Sequence, residues 1–563
     1  MDNKIIADNF LLLSRLMDIH GDNNFKVTSY SVASFTIKKL PAPLSTLSEE
    51  KIYAIKGIGE AIGKKIIEQI ETGQLQLLNE YIAKTPAGIV EMLGIKGIGP
   101  KKITTIWKEL EIETLGELMY ACNENRLTLY KGFGEKTQKN IKEAIEFYLN
   151  ALGSYLYQQI ESFALALDEK LKEQFVSRKF SLSASFRRQM EVIEKLEWVT
   201  TTTVTDLKLF FLPKAYEITE ETTHYISFKS IENITVGFYC CPEELYFNQL
   251  FLTSCSEEFL THWNNQTKWD TKKSYASEEA IFSSFDISFI PPCEREKASI
   301  LKLAKNNQLP DLIQTPDIKG IIHCHSKWSD GSNTLEEMAN AAVARGYQYL
   351  VISDHSKSAF YASGLYEEKI IAQHQQINEL NQKLFPFKIF KGIESDILND
   401  GNLDYSFAVL STFDLVIASI HSNLKMTEEK AMLRLMKAIE NPYTAILGHM
   451  TGRLLLSRDG YPIDHKKIIE ACADHQVVIE LNANPRRLDM DWRWINYALE
   501  KNVLISINPD AHKEEGYEHC RYGILVAQKA GLNKEMNLSS FSLPEFEQFV
   551  SEQKKKRNHP TII

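Results

Sequence analysis

Apolar runs that end in histidine, aspartate or glutamate recur through the C-terminal half of the chain, and this spacing constrains the fold more than any other feature. Seven such runs read as buried parallel strands, at residues 320–322, 349–353, 388–393, 415–420, 444–448, 477–481 and 503–508. Segments with helical spacing separate them, for example 335–344, 367–384, 428–439 and 463–475. This alternation predicts parallel βα units. In a βα barrel the carboxyl ends of the strands converge on one face, where functional side chains collect.

Nine metal-capable side chains follow six of the seven runs. They are His323, His325, Asp330, His355, Glu394, His421, His449, Asp510 and His512. One histidine at a strand end is usually a structural, hydrogen-bonded residue, but this recurrence in register favours a metal site. Imidazole and carboxylate groups together suit Zn²⁺, Mn²⁺ or Fe²⁺. The sixth run supplies Asn482 and Asn484 instead, which suit hydrogen bonds to a substrate or a metal-bound water. Cys324 alternates to the opposite face and is expected in the core.

Such a ligand set indicates phosphoester hydrolysis. Two or three cations a few ångströms apart activate water near neutral pH and stabilise the attacking and leaving oxygens. Phosphate charge also calls for cationic side chains, and Arg453 and Arg458 are candidates because a guanidinium binds phosphate in a bidentate manner. The alternative for each arginine is a salt bridge.

The N-terminal part contains a threefold repeat: IKGIGE at 55–60, IKGIGP at 95–100 and YKGFGE at 130–135. Its glycines are Gly57, Gly59, Gly97, Gly99, Gly132 and Gly134. Glycine permits a tight turn, and the helix that follows directs free N–H groups at an anion. Lys101 and Lys102 add positive charge beside the second turn. One such turn can serve only to pack two helices, but three copies resemble helix-hairpin-helix motifs, which implies binding to the DNA backbone.

The C-terminal motifs resemble the PHP (polymerase and histidinol phosphatase) domain. They are HCH at 323–325, SDG at 329–331, SDH at 353–355, GIE at 392–394, SIHS at 419–422, GH at 448–449 and DAH at 510–512. The resemblance covers about residues 317–532 and implies a distorted seven-stranded βα barrel with three metal ions. It assigns His323, His325, Glu394 and Asp510 to the first ion. Glu394 would bridge to a second ion held by His421 and His449, and a third would take Asp330, His355 and His512.

The order of the parts is similar to that of bacterial family X DNA polymerases with a PHP domain. SASFRR at 183–188 resembles the nucleotide-phosphate motif of that family, with Arg187 and Arg188, and IPPCERE at 290–296 resembles the segment that leads into the PHP domain. The resemblance implies a 3′-5′ exonuclease that acts in DNA repair. It also places a lyase-type Schiff-base lysine at Lys65, which equally suits a phosphate contact.

One region departs from the family pattern. The family binds two Mg²⁺ with three aspartates, and the matching positions hold Lys195, Glu197 and Gly237. The nucleotide-binding Thr-Gly-Ser motif reads Thr253-Ser254-Cys255. Mg²⁺ needs well-placed carboxylates as well as substrate phosphates. The sequence therefore predicts a degenerate polymerase site that binds no Mg²⁺ and does not transfer nucleotides.

The expected organisation is multidomain. Residues 1–90 form a helical, lyase-like domain with the first hairpin, and 91–150 a fingers-like helical domain with two more. Residues 151–316 form an α/β palm-and-thumb region of nucleotidyltransferase type with a linker, 317–540 the PHP barrel, and 541–563 a tail in which the basic run 554–557 reads as solvated.

Net charge and cysteine content indicate the compartment in which the protein works. The net charge is −10, while residues 1–150 are balanced between basic and acidic side chains, so the excess negative charge lies on the remainder. Eight cysteines without a CxxC pair indicate reduced thiols in a cytoplasm. No run approaches membrane-span length. We expect a cytoplasmic monomer.

The favoured function is a metal-dependent 3′-5′ exonuclease or 3′-end-processing phosphoesterase on gapped, nicked or 3′-recessed DNA. Three alternatives stay open: an active gap-filling polymerase with a PHP exonuclease, a small-molecule phosphatase of the histidinol phosphatase type, and a non-catalytic DNA-binding scaffold.

Overall fold

The computed structural model describes residues 2–558 except 41, 96, 151 and 152. The chain divides into two compact units, Met1–Leu149 and Asn150–Ile563.

The first unit is helical. Its helices are α1 (Asn3–Ile19), α2 (Asn24–Lys38), α3 (Glu49–Tyr53), α4 (Glu60–Thr72), α5 (Gln76–Ala83), α6 (Ala87–Met92), α7 (Pro100–Thr104), α8 (Leu115–Asn123) and α9 (Glu135–Asn150). A π-helical turn, Thr105–Glu109, continues α7. The central residue of each repeated turn, Ile58, Ile98 or Phe133, is buried in one shared apolar core. The repeat therefore anchors each turn by its middle residue and leaves the flanking glycines at the surface.

The second unit begins with a mixed α/β region. Its strands are β1 (Tyr155–Leu156), β2 (Phe180–Leu182), β3 (Val192–Ile193), β4 (Leu196–Thr200), β5 (Glu217–Glu221), β6 (Tyr225–Lys229) and β7 (Thr235–Cys240). Its helices are α10 (Tyr157–Gln174), α11 (Ala184–Arg187), α12 (Val204–Phe211), α13 (Tyr246–Thr253), α14 (Glu257–Thr267), α15 (Glu278–Ser283) and α16 (Ile300–Lys305). Five strands form one sheet in the order β2-β4-β7-β6-β5, in which β4 and β7 run parallel, and β1 pairs separately with β3.

A parallel barrel makes up the rest of the unit. Its strands are β8 (Gly320–Ile321), β9 (Tyr349–Ile352), β10 (Lys388–Asp396), β11 (Leu415–Ser419), β12 (Ile446–Leu447), β13 (Val478–Asn482) and β14 (Ile505–Asn508). Its helices are α17 (Leu335–Ala344), α18 (Glu367–Lys383), α19 (Phe407–Leu410), α20 (Glu428–Glu440), α21 (His465–Asp474), α22 (Ile495–Glu500), α23 (Cys520–Gln528) and α24 (Leu543–Asn558). The strands lie in sequence order, and all six neighbouring pairs are parallel.

Two features of the sequence explain this topology. The strands are buried almost throughout, as strands covered on both faces must be. Helices return the chain between them, and α17 starts with a capping box between Thr334 and Glu337. A parallel bridge between Cys324 and Ala511 brings the first and last strands together, so the sheet nearly closes. The predicted fold class, with helical N-terminal domains, a mixed α/β region and a seven-stranded parallel barrel, is confirmed.

The expectation that the C-terminal basic run is solvated is wrong. The helix α24 extends through the basic run, which docks on the barrel instead of lying free in solvent. Lys554 pairs with Asp414 at 2.5 Å, and Arg557 donates to the carbonyl oxygens of Phe413 and Asp414 at 2.8 and 3.0 Å. Residues 559–563 of the predicted tail lie outside the described residues. None of the described helices combines the length and apolar composition needed to cross a bilayer.

Candidate functional site

The nine metal-capable side chains lie together at the carboxyl ends of the barrel strands. Backbone register brings them there, because each ligand follows or ends a parallel strand. His323 and Asp510 adopt left-handed backbone conformations, with φ of 66° and 48°, at the ends of the first and last strands. Eight of the nine residues are buried, and the side chain of His421 is only 3% exposed.

Glu394 lies at the centre of the cluster. Its Oε1 is 3.3 Å from His323 Nε2, 3.2 Å from His421 Nε2 and 3.1 Å from His449 Nε2. Its Oε2 lies 2.9 Å from His355 Nδ1. One carboxylate therefore faces histidines from four different strand ends, the arrangement expected of a group that bridges two ions.

Three overlapping groups have ligand atoms close enough to share an ion. These groups are His325, Asp330, His355 and His512; then His323, His325 and Asp510; then His355, Glu394 and His421. Asp510 Oδ1 lies 3.1 Å from His325 Nε2, and Asp330 Oδ2 lies 3.5 Å from His355 Nε2. The family resemblance assigned Asp330, His355 and His512 to one ion. In the structure His325 lies with these three residues as well.

The donor set fits divalent metal ions. Among the described residues, several buried ligand atoms make no well-aligned hydrogen bond, including His323 Nε2, both ring nitrogens of His355 and Glu394 Oε2. Burial, with His512 and His355 close by, lowers the pKa of His325 to about 3, so its ring is neutral and has a lone pair to give. Burial would raise the pKa of Glu394, but His421, His323 and His355 hold it well below its usual range. A buried carboxylate kept ionised among histidine nitrogens calls for cations.

A second set of carboxylates orients these ligands. Glu480 accepts from His323 Nδ1 at 2.6 Å and from the backbone N–H of His449 at 3.1 Å. Asp396 accepts from His421 Nδ1 at 2.5 Å. A hydrogen bond of this type on the far ring nitrogen fixes the tautomer and aims the other nitrogen at a metal. The sequence prediction missed Glu480 because it lies inside an apolar run, yet a lone acid in a buried strand is itself a signal.

The two candidate phosphate-binding arginines differ in their surroundings. Arg453 is engaged by Asp491 at 2.7 Å, Glu191 at 2.5 Å and the carbonyls of Arg487 and Leu488. Its guanidinium ties the barrel to the mixed α/β region, as the salt-bridge alternative expected. Arg458 donates to the Gly452 carbonyl at 2.7 Å. A further arginine, Arg487, was not predicted; it is buried, and its Nε lies 3.8 Å from Asp510 Oδ2.

The asparagines of the sixth strand end take structural positions. Asn482 donates to Glu480 Oε1 and Asp510 Oδ2, each at 3.0 Å. Asn484 accepts from the backbone N–H of Arg486 at 3.1 Å and thereby shapes a turn. Cys324 is fully buried, as expected.

The glycines of the helical unit repeat one geometry three times. The first glycine of each turn has a left-handed backbone, with φ of 91° at Gly57, 93° at Gly97 and 95° at Gly132. The second glycine, at Gly59 and Gly99, is the N-cap of the next helix, and Gly134 directly precedes α9. A Cβ added at any of these three second glycines would meet nothing within 4 Å. Close packing within the protein therefore does not explain why these positions are glycine. The open space favours a role in the close approach of a ligand.

Lysines near these turns are only lightly engaged. Lys102 Nζ donates to the Gly97 carbonyl at 3.2 Å, and Lys101 is exposed. Lys65 pairs with Glu68 at 2.7 Å and keeps 30% of its side chain exposed. The pairing with Glu68 is compatible with either role considered for Lys65.

Two of the three positions matched to the Mg²⁺-binding aspartates of the family pattern lie side by side. Glu197 on β4 and Gly237 on β7 are direct partners in the parallel register. A Cβ at Gly237 would lie 2.4 Å from the hydroxyl of Tyr225, so this ring occupies the space that a carboxylate would need. The Lys195 ammonium bonds the same hydroxyl at 3.0 Å.

The remaining carboxylate at this position is engaged. Glu197 accepts from Tyr239 at 3.0 Å, and burial raises the pKa of Glu197 above its usual value. Burial disfavours the ammonium of Lys195, but Tyr225 and the neighbouring carboxylates together raise its pKa above the usual value. An internal ammonium therefore occupies the position where the family pattern has a metal-binding aspartate.

The two arginines of the nucleotide-phosphate motif have internal partners. Arg187 bonds Glu278 at 2.5 Å and Ser254 at 2.9 Å, and Arg188 bonds Glu296 at 2.7 Å. Both guanidinium groups are therefore paired with carboxylates inside the protein.

Protein-family models match the helical unit and the barrel. A helix-hairpin-helix domain matches residues 1–75, a SAM-like helix-hairpin-helix tandem matches 89–146, and a PHP domain matches 322–484. A probable phosphatase of Thermoanaerobacter sp. (strain X514) is 26% identical over 40% of this chain and 90% of its own length. Probable phosphatase YcdX of Escherichia coli O81 (strain ED1a) is 28% identical over 29% of this chain and 62% of its own length.

One relative matches nearly the whole chain. The DNA polymerase/3′-5′ exonuclease PolX of Bacillus subtilis (strain 168) is 32% identical over 95% of this chain and 96% of its own length. At this coverage the match spans the helical unit, the mixed α/β region and the barrel. The chain therefore belongs to the PolX family of DNA polymerase/3′-5′ exonucleases, with helix-hairpin-helix and PHP domains.

Proposed function

We propose that the protein is a metal-dependent 3′-5′ exonuclease or 3′-end-processing phosphoesterase that acts on gapped, nicked or 3′-recessed DNA, and that its polymerase site is inactive. The observation that carries the proposal is the buried cluster around Glu394, in which three overlapping groups of ligand atoms face one another.

The nine residues would hold up to three divalent ions, with Zn²⁺, Mn²⁺ and Fe²⁺ as candidates. Bound ions of this kind activate water and stabilise the charge of a phosphodiester in its transition state. The protein's own contribution is orientation: Glu480 and Asp396 fix the rings of His323 and His421 through the nitrogen that faces away from Glu394. Arg487, whose Nε lies 3.8 Å from Asp510 Oδ2, would place a cation beside the ligands, and Arg458 stays a candidate for binding phosphate. Arg453 serves to join the barrel to the α/β region.

DNA binding is assigned to the hairpin turns. Their second glycines leave open space in front of helix N-termini, which suits a phosphate that approaches closely. Lys101 and Lys102 would add electrostatic attraction, and Lys65 would contact phosphate or act in a lyase reaction. We propose the boundaries 1–90, 91–150, 151–316, 317–540 and 541–563 for the corresponding domains, and a monomer in the cytoplasm.

Inactivity of the polymerase site rests on Lys195, Tyr225 and Gly237. An ammonium and a phenol ring fill the space where two carboxylates would bind Mg²⁺. Glu197 alone would not hold the ions that nucleotidyl transfer requires.

The test compares substrates. Purified protein supplemented with Mn²⁺ is given a 5′-labelled oligonucleotide duplex with a recessed 3′ end and, separately, histidinol phosphate. The proposal predicts a kcat/KM for the duplex that exceeds the value for the monoester by orders of magnitude. The opposite preference would show a small-molecule phosphatase and refute the proposal.

A further inference from the structure

The loop between β9 and α18 exposes an aromatic ring beside the ligand cluster. Phe360 is 73% exposed, while its neighbours Ala359 and Ala362 are fully buried. The loop is tightly turned, because the Ala359 N–H donates to the Ser356 carbonyl at 3.0 Å and the Leu365 N–H donates to the His355 carbonyl at 2.9 Å. The ring is therefore held outward by an anchored backbone.

Two further contacts connect this loop to the cluster. The Phe360 ring lies 5.8 Å from the ring of Tyr361, which lies 6.4 Å from His355. Ser358 Oγ donates at 2.9 Å to Asp396, the carboxylate that also binds His421. An exposed ring is thus fixed one aromatic neighbour away from a candidate metal ligand.

A cationic groove begins two residues beyond His421. It has a volume of about 740 Å³ and is lined by Asn399, Asn423, Lys425, Met426, Thr427, Lys430 and Arg434. Among the described residues that line it, Lys425, Lys430 and Arg434 are cationic and none is acidic. Arg434 is buried and donates to the carbonyls of Leu398, Ser422 and Ile397, so the two lysines present the charge of the groove. A groove of this charge attracts a polyanion.

A phosphodiester at the metal cluster divides a DNA 3′ end into two unlike parts. On one side lies a single nucleotide whose base and sugar carry no further phosphate. On the other side lies the rest of the strand, with one negative charge per nucleotide. An aromatic ring suits the first part, because bases stack on aromatic side chains, and a cationic groove suits the second.

We propose that Phe360 stacks on the 3′-terminal base and that the groove along Lys425 and Lys430 binds the phosphates of the strand that leads to it. The inference rests on the proposed exonuclease function and specifies its substrate as an unpaired 3′ end at least several nucleotides long. A small phosphomonoester would use neither feature.

The first test isolates the stacking contact. Two single-stranded 20-mers are compared, one with an ordinary 3′ nucleotide and one with a 3′-terminal tetrahydrofuran abasic unit. Phe360→Ala is expected to lower kcat/KM for the ordinary end by about 5- to 150-fold and to leave the abasic end unchanged. Phe360→Trp should retain the wild-type preference. Phe385→Ala is the matched control, because Phe385 is 84% exposed and precedes the opposite end of β10.

The second test isolates the groove. Lys430→Gln is expected to raise KM for the 20-mer but not for a dinucleotide, and to reduce the slope of log KM against log salt concentration by about 0.7. Lys437→Gln is the control on the same helix, since Lys437 donates instead to the Asp400 carbonyl at 3.1 Å.

The outcomes separate the two levels of the proposal. A wild-type protein that degrades neither 20-mer but shortens the duplex with a recessed 3′ end would refute the unpaired-end substrate and leave the exonuclease function intact. A wild-type protein that degrades neither the 20-mers nor the duplex would refute the exonuclease function itself. A wild-type protein that degrades both, with Phe360→Ala slowing both equally or neither, would refute base stacking and leave the exonuclease function intact. Thermal unfolding of each variant identifies loss of fold, and retained activity in Phe360→Trp with loss in Phe360→Ala excludes that explanation.

Discussion

Replacing Glu480 by glutamine is expected to weaken metal binding without unfolding the barrel. Glu480 is fully buried on β13 and accepts four hydrogen bonds. Oε1 receives the N–H of His449 at 3.1 Å and the Asn482 amide at 3.0 Å. Oε2 receives His323 Nδ1 at 2.6 Å and the Asn508 amide at 2.8 Å.

The magnitude follows from this pattern. Glutamine has one accepting oxygen, so in either orientation its NH₂ group faces two donors and two of the four bonds are lost. Loss of a carboxylate that orients a metal-binding histidine costs about 10- to 100-fold in metal affinity. That range is about 1.4 to 2.8 kcal/mol. Half-saturation of activity with Mn²⁺ should therefore shift to a 10- to 100-fold higher free concentration.

The assay is a chelator-buffered Mn²⁺ titration of exonuclease rate, together with metal content after dialysis. Glu470→Gln is the control, because Glu470 binds Tyr497 and Lys501 at the surface, at 2.6 and 2.9 Å. Equal metal affinity in Glu480→Gln and wild type, with both folded, would refute the claim that this carboxylate orients the ligands.

Further predictions concern the other parts of the chain. Glu197→Ala should leave exonuclease activity unchanged, and neither it nor the wild type should extend a primer; loss of an extension activity in the variant would show a working polymerase site. Burial raises the pKa of Glu294 to about 7. The protonated carboxyl of Glu294 therefore contributes fully to the free energy of unfolding below about pH 4.5. This contribution, at most about 3 kcal/mol, is lost as pH rises through 7. In urea unfolding, the stability of Glu294→Gln should fall less between pH 4.5 and pH 7 than that of the wild type. Identical pH profiles of stability for the two proteins would contradict this prediction. The double variant Gly59→Ala/Gly99→Ala should stay folded, since each Cβ meets open space and alanine at an N-cap costs about 1 kcal/mol. It should bind DNA more weakly in an anisotropy titration; unchanged binding would remove these turns from the interface. Gly63→Ala should instead lower the melting temperature, because its Cβ would lie 2.5 Å from the ring of Tyr53.

The gathering of these side chains was predictable because most of them lie at the carboxyl ends of the strands or within a few residues of them. Parallel strands in sequence order bring their carboxyl ends together, so the position of each ligand along its own strand was enough. The same local logic placed the hairpin glycines at helix N-termini. The left-handed conformations of His323 and Asp510 carry no such signal in the sequence and became visible only in the structure.

Contacts between residues far apart in the chain were not predictable. Arg453 meets Glu191 across 262 residues, and no spacing rule connects the two. Glu480 was concealed in an apolar strand, where only its partners on three neighbouring segments reveal its role. Tyr225 fills the space beside Gly237 from the adjacent strand, a contact that depends on the register of β6 against β7.

The central claim is tested most directly on a 5′-labelled gapped duplex with Mn²⁺, with and without dNTPs, using wild-type protein and His323→Ala/His325→Ala. The account predicts shortening from the 3′ end that dNTPs do not reverse and that the double variant lacks. Primer extension by the wild type when dNTPs are present, or undiminished shortening by the double variant, would contradict it.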